Sequence, residues 1–180
     1  MNVCVFCGSG TGNDPVYSES AAKLGLLLAK ASVCLVYGGG KVGLMGVLAD
    51  AVMMGGGKVR GVIPRFLLDK EVGHRGISDL EVVESMHQRK QRMADLSDAF
   101  IALPGGWGTL EEVSEILTWK QLGLINQPVV LLNTNRFFDP LLDQMRLMVK
   151  EGFLQPGNFD FLNVEKTPER ILSLLLAQTP

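Results

Sequence analysis

The chain has 180 residues, of which 47% are hydrophobic and 20% are charged, a composition typical of an ordinary globular protein. Seventeen basic and nineteen acidic residues give a formal net charge of −2, so no overall positive field attracts the protein to a nucleic acid polymer or to an anionic membrane. No window reaches the roughly 18 apolar residues of a membrane span, and the segment MNVCVFCGSG lacks the basic n-region of a signal peptide. We therefore expect one domain over residues 1–180 in a soluble, cytoplasmic protein.

Short β-rich segments alternate with longer segments of helical periodicity along the chain. Strands are predicted at residues 3–7, 33–37, 59–63, 80–83, 99–103 and 129–132. Helices are predicted from Pro15, after the N-cap Asp14, and then at residues 44–54, 86–96, 109–122, 138–151 and 168–177. This alternation predicts an α/β fold with a Rossmann-like, doubly wound and mostly parallel sheet that carries helices on both faces.

Three glycine-rich segments each follow a predicted strand. They are residues 8–12 (GSGTG), residues 38–46 (GGGKVGLMG) and residues 105–109 (GGWGT). Because ligands of open parallel sheets bind beyond the carboxyl ends of the strands, we expect these segments to form one binding site.

The glycine segments lack the fingerprint of a dinucleotide-binding protein. The first reads G-x-G-x-G where G-x-G-x-x-G is required, and Tyr37 ends the second strand where an acidic residue would bind the ribose hydroxyls. A G-x-x-x-x-G-K-[ST] phosphate loop is also absent from the sequence. The glycines therefore favour a mononucleotide or a sugar phosphate over NAD.

The segment LPGGWGTLEE joins a predicted buried strand to a helix. Unpaired N–H groups lie at the positive end of a helix dipole, so residues 106–109 are predicted to bind phosphate, with a tight ligand-free connection as the alternative. Glu111 and Glu112 follow in the expected first turn, where acids stabilise a helix by about 0.3–1 kcal/mol. That stabilisation does not explain an acid beside a phosphate site. One of the two acids is therefore predicted to act in chemistry about a sugar's length from the phosphate.

The segment SMHQRKQRM contains two adjacent cations on a predicted amphipathic helix. At 100° per residue, Arg89 falls inside the apolar face and Lys90 lies at its edge. A cation in the apolar face pairs with a buried acid, extends its charge to solvent, or contacts a ligand. A structural ion pair and a ligand contact are both open interpretations for Arg89.

The three cysteines are predicted to be reduced packing residues rather than a disulfide framework. Cys4, Cys7 and Cys34 are an odd number and lie in strand-like segments. The spacing Cys4-x-x-Cys7 is also that of a redox or metal pair, but the first cysteine lies within a strand and not at a helix start. Burial is therefore the favoured interpretation.

The histidines and tryptophans have less specific signals. His74 and His87 lack the spacing of metal ligands, so solvated or hydrogen-bonded roles are expected. Trp107 and Trp119 are candidates for stacking on a base, but packing is the favoured interpretation for both.

The chain resembles the Lonely Guy family of cytokinin riboside 5′-monophosphate phosphoribohydrolases, whose members were once mislabelled lysine decarboxylases. The resemblance covers nearly the whole chain through VFCGSG, LVYGGGKVGLMG, GVIPRFL, MHQRK and EILTWKQLGL. The paired signature of the family is an R-K dipeptide followed by P-G-G-x-G-T-x-x-E. It is complete at Arg89-Lys90 and at residues 104–112.

The resemblance implies hydrolysis of the N-glycosidic bond of N6-modified adenosine 5′-monophosphates, and of AMP, without a metal or an organic cofactor. It implies that Arg89 and Glu112 are catalytic, with Glu112 stabilising the ribose cation or activating water. The expected substrate-binding residues are Gly8, Ser9, Gly39, Gly40, Glu71, Met86, Lys90, Gly106, Trp107, Gly108, Thr109, Leu110, Glu111 and Thr118. The family is typically homodimeric, with the site near the subunit interface. Lys41 is a mild departure from the small or polar residue of many relatives.

Two other functions compete with this one. An AMP-preferring nucleosidase fits the same motifs, because no residue identified above reads the N6 substituent. A non-catalytic carrier of a nucleotide-bearing cofactor, such as the molybdenum cofactor, is the second alternative. A carrier would not need both Arg89 and Glu112.

Overall fold

The computed structural model describes residues 1–68, 70 and 73–177. Its strands are β1 (Asn2–Phe6), β2 (Cys34–Tyr37), β3 (Val59–Pro64), β4 (Asp79–Val83), β5 (Ala99–Ala102), β6 (Val129–Leu132) and β7 (Leu162–Glu165). They form one seven-stranded sheet in the order β4-β3-β2-β1-β5-β6-β7, and every neighbouring pair is parallel. The predicted Rossmann-like α/β fold is confirmed.

Eight α-helices connect and cover the strands within the described residues. They are α1 (Pro15–Lys30), α2 (Gly43–Met54), α3 (Arg65–Leu68), α4 (Met86–Asp95), α5 (Trp107–Gln121), α6 (Asp139–Lys150), α7 (Pro156–Phe159) and α8 (Pro168–Ala177), with one 3-10 helix at Thr134–Arg136. None of the helices in the described part of the chain has the length and apolar character needed to cross a lipid bilayer.

The predicted elements are found close to their predicted bounds. Each predicted strand lies within one residue of an observed one, and each bounded helix prediction lies within two residues. The start of α1 is also confirmed, because the Asp14 side chain accepts a hydrogen bond of 3.0 Å from the Val16 N–H. The short helices α3 and α7 and the edge strand β7 were not predicted. The β7 sequence, LNVE, has only two apolar residues and leaves its edge partly exposed, so it lacks a strong strand pattern.

Two hydrophobic cores lie on opposite faces of the sheet. Alternate residues of β1 and β5 point to opposite cores, as the period of two in a strand requires. One core is covered by α1, α2 and α8, and the other by α4, α5 and α6. Helix α1 approaches α2 closely at Gly25, where an added Cβ would lie 2.7 Å from the Cβ of Ala51.

The direction in which successive strands are added to the sheet reverses between β1 and β5. After β1 the chain builds the sheet outward through β2, β3 and β4, and then returns to β5 on the other side of β1. The loops after β1 and β5 meet at this point, where the Gly8 N–H donates a hydrogen bond of 3.1 Å to the Pro104 carbonyl. A crevice at such a reversal is the usual ligand site of an open parallel sheet.

Replacing Phe100 with alanine tests the core that supports this reversal. Phe100 is fully buried in β5 and its ring stacks on that of Phe6, with centroids 6.1 Å apart. We expect Phe100→Ala to lower the free energy of unfolding by about 3–5 kcal/mol in chemical denaturation. The matched control is Phe153→Ala, because Phe153 is 88% exposed and its loss leaves no cavity. Equal effects of the two substitutions would contradict this assignment of the core.

Candidate active site

The N-terminus of α5 is open to solvent and lies between β1 and β5, where the strand order changes direction. Gly106 is the N-cap residue and no side chain caps this end of the helix. A Cβ added at Gly106 or Gly108 would meet no atom within 4 Å, so space adjoins both residues. The N–H groups of the first helical turn have no acceptor within the helix. They therefore offer an anion the geometry that the sequence predicted.

Gly105, which precedes the predicted phosphate-binding residues 106–109, is packed rather than open. An added Cβ at Gly105 would lie 2.1 Å from the Thr109 Oγ1 and 2.9 Å from the Gly8 nitrogen. Gly105 therefore permits the strand-to-helix turn, and Gly106 and Gly108 adjoin the open space. Thr109 is buried, and Leu110 is partly buried with its N–H donating to the Gly106 carbonyl at 3.1 Å.

A cleft of about 160 Å³ extends from this helix end into the protein. Its polar lining comes from loops and helices that are far apart in sequence: Ser9 after β1, Arg89 on α4, and Thr109 and Glu112 on α5. Gly8, Gly106, Trp107 and Gly108 also line the cleft. A neighbouring cleft of about 280 Å³ shares Gly8, Ser9 and Gly106 with the first and is bordered by Tyr17 and Phe137.

Glu112 is the carboxylic acid that lines the 160 Å³ cleft. The residue is only 9% exposed, and its side chain makes no hydrogen bond or ion pair within the described chain. Burial raises the pKa of Glu112 from 4.5 to about 7, an effect that the positive charge of Arg89 opposes. Glu111 and Glu115 raise the pKa further and Lys90 lowers it. Near neutral pH this group therefore exists in both protonation states, as a general acid or base requires.

Arg89 faces the same cleft and is held by main-chain carbonyls. The residue is 7% exposed, its Nε donates to the Val62 carbonyl at 3.2 Å, and its Nη2 donates to the Gly38 carbonyl at 2.9 Å. Within the described residues no carboxylate lies within 4.0 Å of the guanidinium. The burial predicted from the helical pattern is confirmed. Among the residues that the structure describes, the polar partners of the guanidinium are main-chain carbonyls, and the structural ion pair considered for Arg89 is not found there.

Lys90 extends towards α5 rather than into the cleft. Its ammonium group pairs with Glu111 and, at 3.1 Å, with Glu115. Burial alone would lower the pKa of Lys90, but the hydrogen bonds to Glu111 and Glu115 raise it above its ordinary value. Glu111 is therefore engaged in a salt bridge, and Glu112 is the acid that remains available to a ligand.

The position of these two acids in α5 corrects the sequence interpretation. The helix begins at Trp107, two residues earlier than predicted, so Glu111 and Glu112 lie in the second turn. No acid lies in the first turn of α5. Stabilisation of the helix start by its dipole acts within the first turn and therefore does not account for either residue.

The other predicted site residues lie in three different places. Gly39 and Gly40 are buried in the loop after β2, where the Gly39 carbonyl accepts a hydrogen bond from the His74 N–H. Met86 lies beside Arg89, with 3.8 Å between its sulfur and Nη1. Thr118 is exposed on α5, and its hydroxyl donates to the Ser114 carbonyl, away from the cleft. Glu71 lies outside the described residues.

The tryptophans and histidines differ in how well they were predicted. Trp107 is 88% exposed at the helix start, so the packing role favoured for it is wrong, whereas Trp119 packs against the α4–α5 core. His87 is exposed and the Nε2 of His74 hydrogen-bonds the Asp50 carboxylate at 2.9 Å, as expected.

The cysteine thiols are free in the described part of the chain. Cys4 and Cys7 are buried, and burial raises the pKa of both thiols, with the charge of Glu112 adding to the effect. Cys7 lines the cleft as a protonated, apolar group. The described residues contain no group of three or more His, Cys, Asp or Glu side chains that could hold a metal ion.

Comparison with known proteins identifies the family. Residues 45–175 match the family described as "Possible lysine decarboxylase". The chain is 51% identical over 157 residues to the cytokinin riboside 5′-monophosphate phosphoribohydrolase of Rhodococcoides fascians, covering 87% of this chain and 79% of that protein. It is 49% identical over 154 residues to LOG1 of Arabidopsis thaliana, which has the same activity name, covering 86% and 72%. The chain belongs to the Lonely Guy family.

Solved structures of other proteins share the fold of this Lonely Guy protein. The molybdenum cofactor binding protein of Rippkaea orientalis is 24% identical, with a TM-score of 0.74, and the match covers 98% of this chain and 95% of that one. The molybdenum cofactor carrier protein of Chlamydomonas reinhardtii is 21% identical, with a TM-score of 0.72 and 98% of each chain covered. At these identities the similarity concerns the fold alone.

The buried acid predicts a stability effect that depends on pH. A folded-state pKa above the unfolded value means that the folded protein binds the proton more tightly, so Glu112 lowers stability as pH rises from about 4.5 to about 7. We expect Glu112→Gln to be about 3 kcal/mol more stable than the original protein at pH 8, with the difference vanishing near pH 4.

Chemical denaturation across this pH range measures the difference. Glu19→Gln is the control, because Glu19 is exposed on α1 and its replacement should change the free energy of unfolding by less than about 0.5 kcal/mol. A Glu112→Gln protein that is less stable than the original at pH 8 would show that the carboxylate is stabilised in the fold.

Proposed function

We propose that this protein hydrolyses the N-glycosidic bond of N6-modified adenosine 5′-monophosphates, and of AMP, to the free base and ribose 5-phosphate. The observation that carries the proposal is the unpaired acid Glu112, buried in a cleft that begins at an open helix N-terminus. Relatives about 50% identical are named cytokinin riboside 5′-monophosphate phosphoribohydrolases, which supports the same reaction. The whole chain is proposed to act as one domain.

The nucleotide is proposed to bind with its phosphate at the start of α5. The free N–H groups of residues 107–109 and the helix dipole favour the phosphate charge. Glu112 follows Thr109 by three residues, about 4.5 Å along the helix axis, which is on the scale of one sugar ring. The ribose then lies beside α5, and its C1′ faces Glu112 and Arg89.

Cleavage is proposed to proceed through separation of charge at the glycosidic bond. As the bond from C1′ to the base nitrogen lengthens, the electron pair leaves with the base and positive charge develops on the ribose. The carboxylate of Glu112 stabilises that charge and accepts a proton from the water that attacks C1′. The departing base gains negative charge, which the guanidinium of Arg89 stabilises, and it then takes up a proton. Neither a metal nor an organic cofactor takes part in this scheme.

The reaction is tested with the purified protein and two substrates. We expect release of ribose 5-phosphate together with base from N6-isopentenyl-AMP and from AMP, measured by chromatography. The ratio of the two kcat/KM values distinguishes a cytokinin nucleotide hydrolase from an AMP-preferring nucleosidase. Absence of ribose 5-phosphate with both substrates would favour a carrier and contradict the proposal.

Glu112→Gln tests the role of the acid. Because the amide accepts no proton, we expect kcat to fall by about 10²–10⁴-fold, while AMP binding measured by calorimetry persists. In the original protein, kcat should rise with pH through about 7, because the ionised form of Glu112 is the reactive one. Glu19→Gln serves as the control of normal turnover. Unchanged turnover in Glu112→Gln would remove this residue from the mechanism.

The protein is further proposed to be a cytoplasmic homodimer with its site near the subunit interface. Leu122 and Leu124 leave apolar side chains exposed at the end of α5, beyond the exposed Thr118. Burial of this surface against a second copy would bring Thr118 towards the interface. Free thiols fit a reducing compartment.

Sedimentation measures the oligomeric state directly. We expect a species of twice the 19.5 kDa chain mass, and a shift towards the monomer in Leu124→Glu, because the new charge opposes burial. A monomer at micromolar concentration would contradict the dimer.

A further inference from the structure

Gly38 is in closest contact with the guanidinium of Arg89. It follows β2 directly, at the carboxyl end of the sheet where the cleft lies. Its carbonyl accepts the hydrogen bond from Nη2 at 2.9 Å, and a Cβ added here would lie 1.8 Å from that nitrogen and 2.9 Å from Cζ. A side chain at residue 38 would therefore require the guanidinium to move from this position.

A second carbonyl fixes the plane of the guanidinium. Val62, on β3, accepts from Nε at 3.2 Å, and both carbonyl contacts are buried. Among the residues that the structure describes, the acceptor nearest to the remaining nitrogen, Nη1, is the sulfur of Met86, at 3.8 Å. Sulfur is a weak acceptor, so Nη1 keeps donor capacity for a ligand in the cleft.

The loop that carries Gly38 is itself held from the other side. The His74 N–H donates to the Gly39 carbonyl at 2.9 Å, and Gly40 pairs with Gly73 in an isolated bridge. The side chain of His74 is in turn bonded to Asp50 on α2. Because the loop is anchored at these points, a methyl group added at residue 38 would displace the guanidinium rather than the loop.

We propose that Gly38 is a positioning residue for the hydrolysis: its carbonyl and its missing side chain together hold the Arg89 guanidinium in the cleft beside Glu112. The proposal rests on the proposed function and names a residue that acts through Arg89. Since Arg89 is not neutralised by an acid within 4.0 Å in the described residues, its location also sets the electrostatic environment of Glu112.

Gly38→Ala tests the proposal in the full-length protein. Gly38 does not have a positive φ, so alanine introduces the methyl group without the strain of a left-handed backbone. We expect kcat with N6-isopentenyl-AMP to fall about 100-fold, as for a misplaced catalytic group, with a smaller change in KM. The midpoint of the pH–kcat profile should also move to higher pH, because a displaced Arg89 no longer lowers the pKa of Glu112 as strongly. The control is Gly157→Ala, where the added Cβ meets nothing within 4 Å.

A stability comparison separates this inference from the proposed function. Gly38→Ala should lower Tm in the original protein but not in an Arg89→Ala background, where the clashing group is absent. A Gly38→Ala protein that fails to fold, paired with a folded Gly38→Ala/Arg89→Ala protein, supports the proposal in the same way. Equal losses of Tm in both backgrounds, or an unchanged kcat and pH profile in an active Gly38→Ala protein, would overturn it. If the original protein releases no ribose 5-phosphate, the proposed function fails, and the Tm comparison still tests the contact.

Discussion

The candidate site depends on one electrostatic constraint: within the described chain, a buried carboxyl group without a hydrogen-bond or ion-pair partner lies near a buried cation that is held by main-chain carbonyls. Burial raises the pKa of Glu112 to about 7, and the positive charge of Arg89, whose guanidinium is hydrogen-bonded elsewhere, opposes that rise only in part. Burial without a partner costs stability, and a fold selected for stability alone would close the pair or replace the acid. Perturbed groups of this kind concentrate at functional sites. The physical cost of Glu112 is therefore itself an argument that the residue is used.

Two adjacent cations and two adjacent acids take different roles because neighbouring residues of a helix point about 100° apart. On α4 and α5, Arg89 and Glu112 line the cleft, whereas Lys90 and Glu111 form a salt bridge that Glu115 extends. This salt bridge links the two helices, so it constrains the separation of Arg89 and Glu112. In the sequence R-K followed by E-E, one cation and one acid thus form a salt bridge, and the other cation and acid remain available to a ligand in the cleft. Charge alone does not distinguish the members of each pair, but their helical phase does.

The glycines of the site serve two separate physical purposes. Gly38, Gly43 and Gly105 allow close contact, since an added Cβ would lie within 2.2 Å of another atom at each position. At Gly43, φ is +62° as well, so the backbone itself favours glycine. Gly106 and Gly108 adjoin open space, where the missing side chain leaves room for a ligand. A motif rich in glycine therefore combines residues that assemble the cleft with residues that border it.

The sequence predicted those features that depend on periodicity and left out those that depend on main-chain partners. The buried strands follow from short β-rich runs and the inward position of Arg89 follows from the helical period of 3.6 residues, and both were found. The partners of Arg89 are carbonyls of Gly38 and Val62, which every residue type carries, so no side-chain pattern could reveal them. The packing prediction for Trp107 was wrong for a different reason. Aromatic residues usually pack, but the start of α5 projects this ring into solvent. Exposure of so large an aromatic side chain is unfavourable for an isolated chain, and contact with a nucleotide or a second subunit would remove that cost.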